Sequence, residues 1–284
     1  MVDQSLINRR SRGDDRHISD LKSVQGQLTL SHIMTPREHF ICCGADEPAQ
    51  GVMERVSEVF DAVPVVESSD PTDIAAPILG LLHRDRIPFR NSTIRAADCA
   101  DTSALKTAHP LDRNLLVYIN GLNGHPVEFV ASGSEIVGLV TPYDLERLPV
   151  RTALFAQIID VERLMGDLIN ARFPDTAAWE ERISKRLSGK LQTGLKRAIK
   201  NESVGQPILS VDFAVKLDLL PHCFEGPHDA TWVGKESDEI RELRNVVAHG
   251  APFANVTQLP DQLRNLLRLR GLISKRISEL RGQS

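Results

Sequence analysis

Near the C-terminus an arginine, an asparagine and a histidine stand close together in Arg244-Asn245-Val246-Val247-Ala248-His249, with Gly250 directly after. A guanidinium holds a phosphate through paired hydrogen bonds. An imidazole moves a proton near neutral pH. Together they are the minimum equipment for cutting RNA without a metal. The base takes the 2′-hydroxyl proton, the oxygen attacks its own phosphate, and the guanidinium stabilises the charge on the phosphorane. On a helix Arg244 and His249 lie about 140° apart and flank one side. Asn245 and His249, four apart, share a face. The plainer alternative is that His249 favours the dipole in a last helical turn while Arg244 and Asn245 anchor a loop.

A second constellation is Gly138-Leu139-Val140-Thr141-Pro142-Tyr143-Asp144. It reads as a buried strand ending where a helix starts under a hydroxyl residue. Free amides at such a start can hold a phosphate, and Asp144, one turn on, can accept hydrogen bonds from the two hydroxyls of a ribose. The alternative is a simple cap, with Thr141 at the helix start and Asp144 favouring the dipole. A third cluster, His222, Cys223 and His228, fits no zinc spacing, so a loop without metal is expected.

The elements that must position these residues follow from periodicity. Residues 28–150 hold a degenerate repeat of about 60 residues, aligned on Gly80 with Gly138, Pro64 approximately with Pro126, and Arg90 approximately with Arg151. In the first copy Val52, Val56, Val59 and Phe60 share a helical face over Pro48–Phe60. AVPVVE and PILGLLH read as strands around a turn at SSDPTD, and RDRIPF opens a short helix or turn. Each copy is therefore a β-α-β-β-α subdomain. In the second copy two strands meet at Ser132-Gly133-Ser134, and Thr141-Pro142 starts a helix.

From Arg151 the pattern is helical only. Leu154, Ile158, Val161, Met165 and Leu168 form one apolar stripe, and Ile183, Leu187, Leu191 and Leu195 the next. A third helix runs from Pro207 through Leu220, and PHCFEGPHDATW is a loop. A fourth helix starts under Ser237 and stops at Gly250. Leu259, Leu263, Leu266, Ile273, Ile277 and Leu280 line the last helix. Its other face carries Arg264, Arg268, Arg270, Lys275, Arg276 and Arg281, and is either solvated or a track for an RNA backbone.

On these motifs the first half resembles paired CBS domains over roughly residues 28–150: the repeat, MTP near its start, PVV before the hairpin and GLVTPYDL at its end. That resemblance implies an adenine nucleotide (AMP, ADP or ATP) as regulatory ligand, with Thr141 on phosphate and Asp144 on ribose. The first copy departs from the pattern, with His83 and Arg86 where threonine and aspartate are expected. R-N-x-x-x-H followed by Gly, in a helical domain of about 130 residues, resembles the HEPN superfamily. The resemblance implies Arg244, Asn245 and His249 as a catalytic set in a homodimer, with Glu162 or Asp160 as a further polar residue. The expected fold is thus an α/β CBS pair, 28–150, after a mobile polar tail, 1–27, and before an all-α helical bundle, 151–284.

Composition bounds the rest. Residues 1–150 carry 14 Lys and Arg against 21 Asp and Glu, and residues 151–284 carry 20 against 17, so a polyanion such as RNA suits the second half better. No apolar run is long enough for a membrane helix, and the N-terminus has no apolar core of a secretory signal. Four cysteines without pair spacing suit a reducing cytoplasm. The expected function is a nucleotide-regulated, metal-independent endoribonuclease. The alternative is a non-catalytic, adenine-nucleotide-sensing module whose helical domain dimerises or docks a partner.

Overall fold

A computed structural model of the chain describes residues 26–56, 60–87, 93–122, 124–200, 207–253 and 255–282. All but the end of the expected 1–27 tail, together with Val59 and Arg90, lies outside the described residues. The chain divides into two units, Gln25–Val150 and a second that holds Arg151–Ser284.

In the first unit the strands are β1 (Thr35–Pro36), β2 (Cys43–Gly44), β3 (Ala62–Val66), β4 (Ile78–His83), β5 (Ala100–Asp101), β6 (His109–Pro110), β7 (Glu128–Ser132) and β8 (Glu135–Val140). They form two four-stranded sheets, in the orders β2-β3-β4-β5 and β1-β8-β7-β6. Each sheet takes its last edge from the other half of the repeat. β1 lies ahead of the first sheet in sequence and pairs antiparallel with β8, and β5 pairs with β4 in the same way. The register carries the internal symmetry. Cys43 pairs with Val65 and His109 with Val130, both parallel, and the same two residues face Gly80 and Gly138 across the hairpins.

The two glycines explain the exchange. A Cβ on Gly80 would sit 2.6 Å from the Asp101 carbonyl oxygen, and one on Gly138 would sit 3.0 Å from the Thr35 carbonyl oxygen. Only a residue without a side chain lets the exchanged edge approach. The Gly80–Gly138 alignment therefore matches the strand register, but the Pro64–Pro126 alignment does not. Pro64 faces Leu81 as Phe129 faces Leu139, so Pro64 corresponds to Phe129. The first hairpin is longer than the second, which shifts any alignment made without gaps.

Helix α1 (Ala49–Arg55) buries Ala49, Val52 and Met53 against Val63, Val65 and Leu82. It is shorter than the expected Pro48–Phe60. Val56 turns to extended backbone, with φ −82 and ψ 139, so Phe60 is not carried onto the same face and stays 45% exposed. Helix α2 (Leu115–Asn120) begins under Asn114, whose side chain accepts from the amides of Leu116 and Val117. Leu81 of the first sheet packs with Phe129 and Leu139 of the second, joining the two halves into one core.

The second unit is built from α3 (Leu148–Arg172), α4 (Ser188–Lys200), α5 (Phe213–Leu219), α6 (Pro227–His249) and α7 (Leu259–Gly282). The α3 stripe is buried as its spacing requires, Leu154, Ile158, Val161, Met165 and Leu168 each at 1% exposure or less. Trp179 is fully buried and donates to the Phe173 carbonyl at 2.8 Å, which fixes the turn after α3.

Three expectations need correction here. A one-turn helix over Ala177–Glu180 follows Phe173, and the longer helix α4 starts only at Ser188, leaving Ile183 in a bend between them. The third helix is broken: a 3-10 turn over Pro207–Ser210 precedes α5, and a second follows it over Leu220–Cys223. The expected loop PHCFEGPHDATW instead supplies the first turns of α6, with Gly226 as cap and Pro227 in the first turn, where its missing N–H costs nothing. Ser237 is consequently mid-helix, and its hydroxyl bonds the Val233 carbonyl at 2.6 Å. Gly250 ends the helix in the left-handed region at φ 67.

Candidate functional site

Among the described residues, one cleft in each unit gathers several of the candidate side chains. In the second unit α6 presents Arg241, Arg244 and Asn245, spaced i, i+3 and i+4, on one face. Opposite, α4 presents Lys190 and Arg197, two turns apart and exposed, outside its buried Leu191 and Ala198. Between them lies a cleft of about 590 Å³, closed at its base by Val211, Asp212 and Phe213. Gly194 makes that wall possible. A Cβ there would lie 3.0 Å from the Ser210 carbonyl oxygen and from the Val211 Cα, so α4 seats against the 3-10 turn only because position 194 is bare.

The expected catalytic set is only partly assembled. Arg244 and Asn245 line this cleft, where the Arg244 guanidinium lies 5.9 Å from the Phe213 ring centroid and donates to the Asn245 side-chain oxygen Oδ1 at 3.3 Å. His249 is exposed in the last turn of α6 and is not among the cleft's lining residues. Of the two acidic candidates, Glu162 reaches the cleft. It is bonded at 2.7 Å by Lys216, whose side chain is 3% exposed. Asp160 does not reach it; its carboxylate is buried against Arg270 at 2.6 Å, with Arg163 at 3.5 Å.

The basic face expected on α7 dissolves into pairs. Arg264 bonds Asp261, Arg268 stacks 4.2 Å over Trp232, and Arg270 takes Asp160. Arg276 is 6% exposed and bonds Glu225, Glu279 and the Cys223 carbonyl. Lys275 is 75% exposed, 3.9 Å from Glu279, and Arg264 is half-exposed, so part of that face still meets solvent. In the third cluster Cys223 is buried while His222 and His228 are exposed, and burial pushes its thiol up to about 12.

In the first unit Thr141 and Asp144 meet as a capping box. The Asp144 carboxylate accepts from the Thr141 amide at 2.7 Å and hydroxyl at 2.9 Å, and its other oxygen pairs with Arg147 at 2.8 Å. Arg147 also reaches the Thr35 hydroxyl at 3.3 Å, so the exchanged edge strand borders this turn. Asp144 is 4% exposed, and a ribose would have to take the oxygen that Arg147 now holds.

The corresponding turn of the first copy opens on a cleft of about 740 Å³. His83 and Arg86 line it, where the second copy has Thr141 and Asp144. Asp101, the counterpart of Thr35, pairs with Arg86 at 2.9 Å and lies 3.8 Å from His83 Nε2. Ser103 donates its amide and hydroxyl to Asp101, which lowers that carboxyl from its usual value. Burial, with Arg86 nearby, lowers His83, so the imidazole is neutral near pH 7. Across the cleft Glu128 accepts from Tyr118 at 2.6 Å and lies 3.4 Å from His109 Nε2.

No protein-family model matches the chain, and no curated protein matches it. Solved structures that contain CBS domains are similar to part of it. A hemolysin-like protein of Oenococcus oeni PSU that contains a CBS domain is 14% identical, with TM-score 0.33, over 45% of this chain and 93% of that one. The CBS domain of a bacterial CNNM/CorC family Mg2+ transporter in complex with ATP is 15% identical, with TM-score 0.34, over 50% and 96%. The cystathionine beta-synthase pair domain of a putative Mg2+ transporter from Shewanella oneidensis MR-1 is 14% identical, with TM-score 0.32, over 46% and 81%. Each likeness spans about half of this chain or less. Among the described residues no helix is long and apolar enough to cross a membrane.

Sequence reasoning placed Arg241 at the head of the Arg244 segment without a role, and passed over Lys190 and Arg197. Their signal was present, since Lys190 and Arg197 repeat every seven residues opposite the Leu187-Leu191-Leu195 stripe, but a surface lysine or arginine is usually only solvated. The Glu128, Tyr118 and His109 cluster had no sequence signal at all, because β6, β7 and α2 meet only in the fold.

Proposed function

We propose that the α/β unit is a regulatory module that binds an adenine nucleotide, and that the helical unit responds to it without itself being an enzyme. The observation that carries this reading is the first-copy cleft. Its volume is that of a small-ligand site. It offers the half-buried Val127 as an apolar wall for a base, carboxylates on both sides for ribose hydroxyls, and Arg86 for a phosphate. The resemblance of Gly138–Asp144 to the CBS segment supports the same ligand class at the second turn, through Thr141 and Asp144. Titration calorimetry of the full chain with AMP, ADP and ATP tests the reading. Arg86→Ala is expected to weaken binding about tenfold, and Asp144→Ala to weaken a second binding event in the same range. Heats that never saturate with any of the three would overturn it.

A second reading makes the helical unit a metal-independent endoribonuclease acting through Arg244, Asn245 and His249 in a homodimer. It is favoured by the cationic cleft that Arg244 and Asn245 share. The position of His249 outside the cleft lining counts against it. Incubation with structured RNA in chelator decides it: the enzyme reading requires products with a cyclic phosphate that His249→Ala does not make.

A further inference from the structure

The geometry points to a second ligand site in the helical unit: the cleft between α4 and α6 binds a compact oligophosphate group of a small molecule through Lys190, Arg197, Arg241 and Arg244. This site stands independently of the nucleotide reading of the α/β unit, since every residue in it belongs to Arg151–Ser284.

Charge is the first argument. Four cations line the cleft against two carboxylates, Glu162 and Asp212. Lys216 already holds Glu162, at 2.7 Å from a side chain that is itself buried, so that carboxylate does not repel an anion at full strength. Arg241 shares its charge with Asp238 at 2.8 Å, but Asp238 is 79% exposed, and an exposed pair of this kind is weak and yields to a phosphate.

Placement is the second argument. The cations come as one pair from each wall, i and i+7 on α4 and i and i+3 on α6. Lys190 and Arg197 are therefore about 10 Å apart along their helix. Two or three linked phosphates span that distance, whereas a single phosphate reaches one end only. Gly194 seats the backbone of α4 against the turn before α5, and the Phe213 ring lies beneath Arg244 on the opposite wall.

Ring exposure decides between a small oligophosphate and RNA. Single-stranded RNA is gripped by aromatic side chains on which its bases stack. The aromatic residue among those lining this cleft is Phe213, which is 5% exposed and lies under Arg244. It offers no face to a base. The arginines and the lysine recognise phosphate oxygens and nothing attached to them.

Calorimetry of the full chain with inorganic tripolyphosphate, at fixed ionic strength, tests the site. One saturable event per chain is expected. Lys190→Ala/Arg197→Ala should weaken it about a hundredfold, as two charge-assisted hydrogen bonds are lost. Both residues are exposed outside the core, so helicity by circular dichroism should be unchanged. Lys235→Ala, an exposed cation on α6 outside the cleft lining, should leave the event as it is. The proposal is overturned if tripolyphosphate gives no saturable heat, if the double variant binds as tightly as the parent, or if Lys235→Ala weakens the event as much as the double variant does. It is equally overturned if a 5′-hydroxyl single-stranded RNA binds through Lys190 and Arg197 while tripolyphosphate does not.

Discussion

Lys216 and Glu162 show how one buried pair supports a site without touching a ligand. The ammonium is nearly sealed, at 3% exposure, while the carboxylate keeps 28%. Removing either partner leaves the other uncompensated, but not at equal cost. Glu162→Ala strands a buried cation and is expected to lower stability by about 3 kcal/mol. Lys216→Met leaves a carboxylate that water can still reach and should cost less than half of that. Urea unfolding of both variants checks the order, and equal losses would show that the pair is not asymmetric. Burial acts on the thiols as well. Cys43 and Cys223 are each pushed up to about 12. The unfolded chain ionises them near the usual ~8.5 and the folded chain does not. Their contribution to stability is complete below that value and is lost as pH rises toward about 12. The urea midpoint should therefore fall over this window, and fall less steeply in Cys43→Ala/Cys223→Ala. Neither effect was legible in the sequence, because nothing at position 216 or 43 marks it as interior until the chain has folded. The Arg244-Asn245 pair was legible, since adjacent residues on a helix stay near each other whatever surrounds them.

At the scale of elements, what could be read depended on whether the pattern was local. The hairpin strands of both copies and the α3 stripe follow from period 2 and period 3.6, and they stand where the spacing puts them. The start of α6 was hidden because Pro227, Gly226 and two histidines look like loop chemistry, while the helical face of Val233, Ile240, Leu243 and Val247 begins only a turn and a half later. The exchanged edges β1 and β5 are two residues each, too short for any periodicity, and only the paired glycines betray them. The two glycines should not be equally tolerant. At Gly80 a new Cβ meets backbone, the Asp101 carbonyl, which cannot yield without moving β5. At Gly138 the nearest neighbour is the end of the Met34 side chain, which can rotate away. Gly80→Ala is expected to cost about 2–3 kcal/mol and Gly138→Ala about 1 kcal/mol. Thermal unfolding of the two single variants compares them directly, and the reverse order would mean that the edge at β1 is the more rigid of the two.

For the whole molecule, the division at residue 150 has a physical basis in where the hydrogen bonds and the cores close. Both sheets are complete within Thr35–Val140, since each exchanged edge comes from the same unit. The core formed by Leu81, Phe129 and Leu139 lies wholly within it. The helical unit likewise buries its own stripes, from Leu154 and Ile158 in α3 to Leu263, Leu266 and Ile273 in α7, with Trp179 at the turn. A unit whose backbone ladder and core are both closed does not need its neighbour to fold. Two fragments test this, residues 25–150 and residues 148–284, the second keeping all of α3. Each is expected to unfold cooperatively on heating, the first with mixed and the second with purely helical circular dichroism. The tripolyphosphate event should travel with the helical fragment and be absent from the other. A helical fragment that melts without a cooperative transition would show that its core depends on the α/β unit. The nucleotide site and the oligophosphate site could not then be treated as separate.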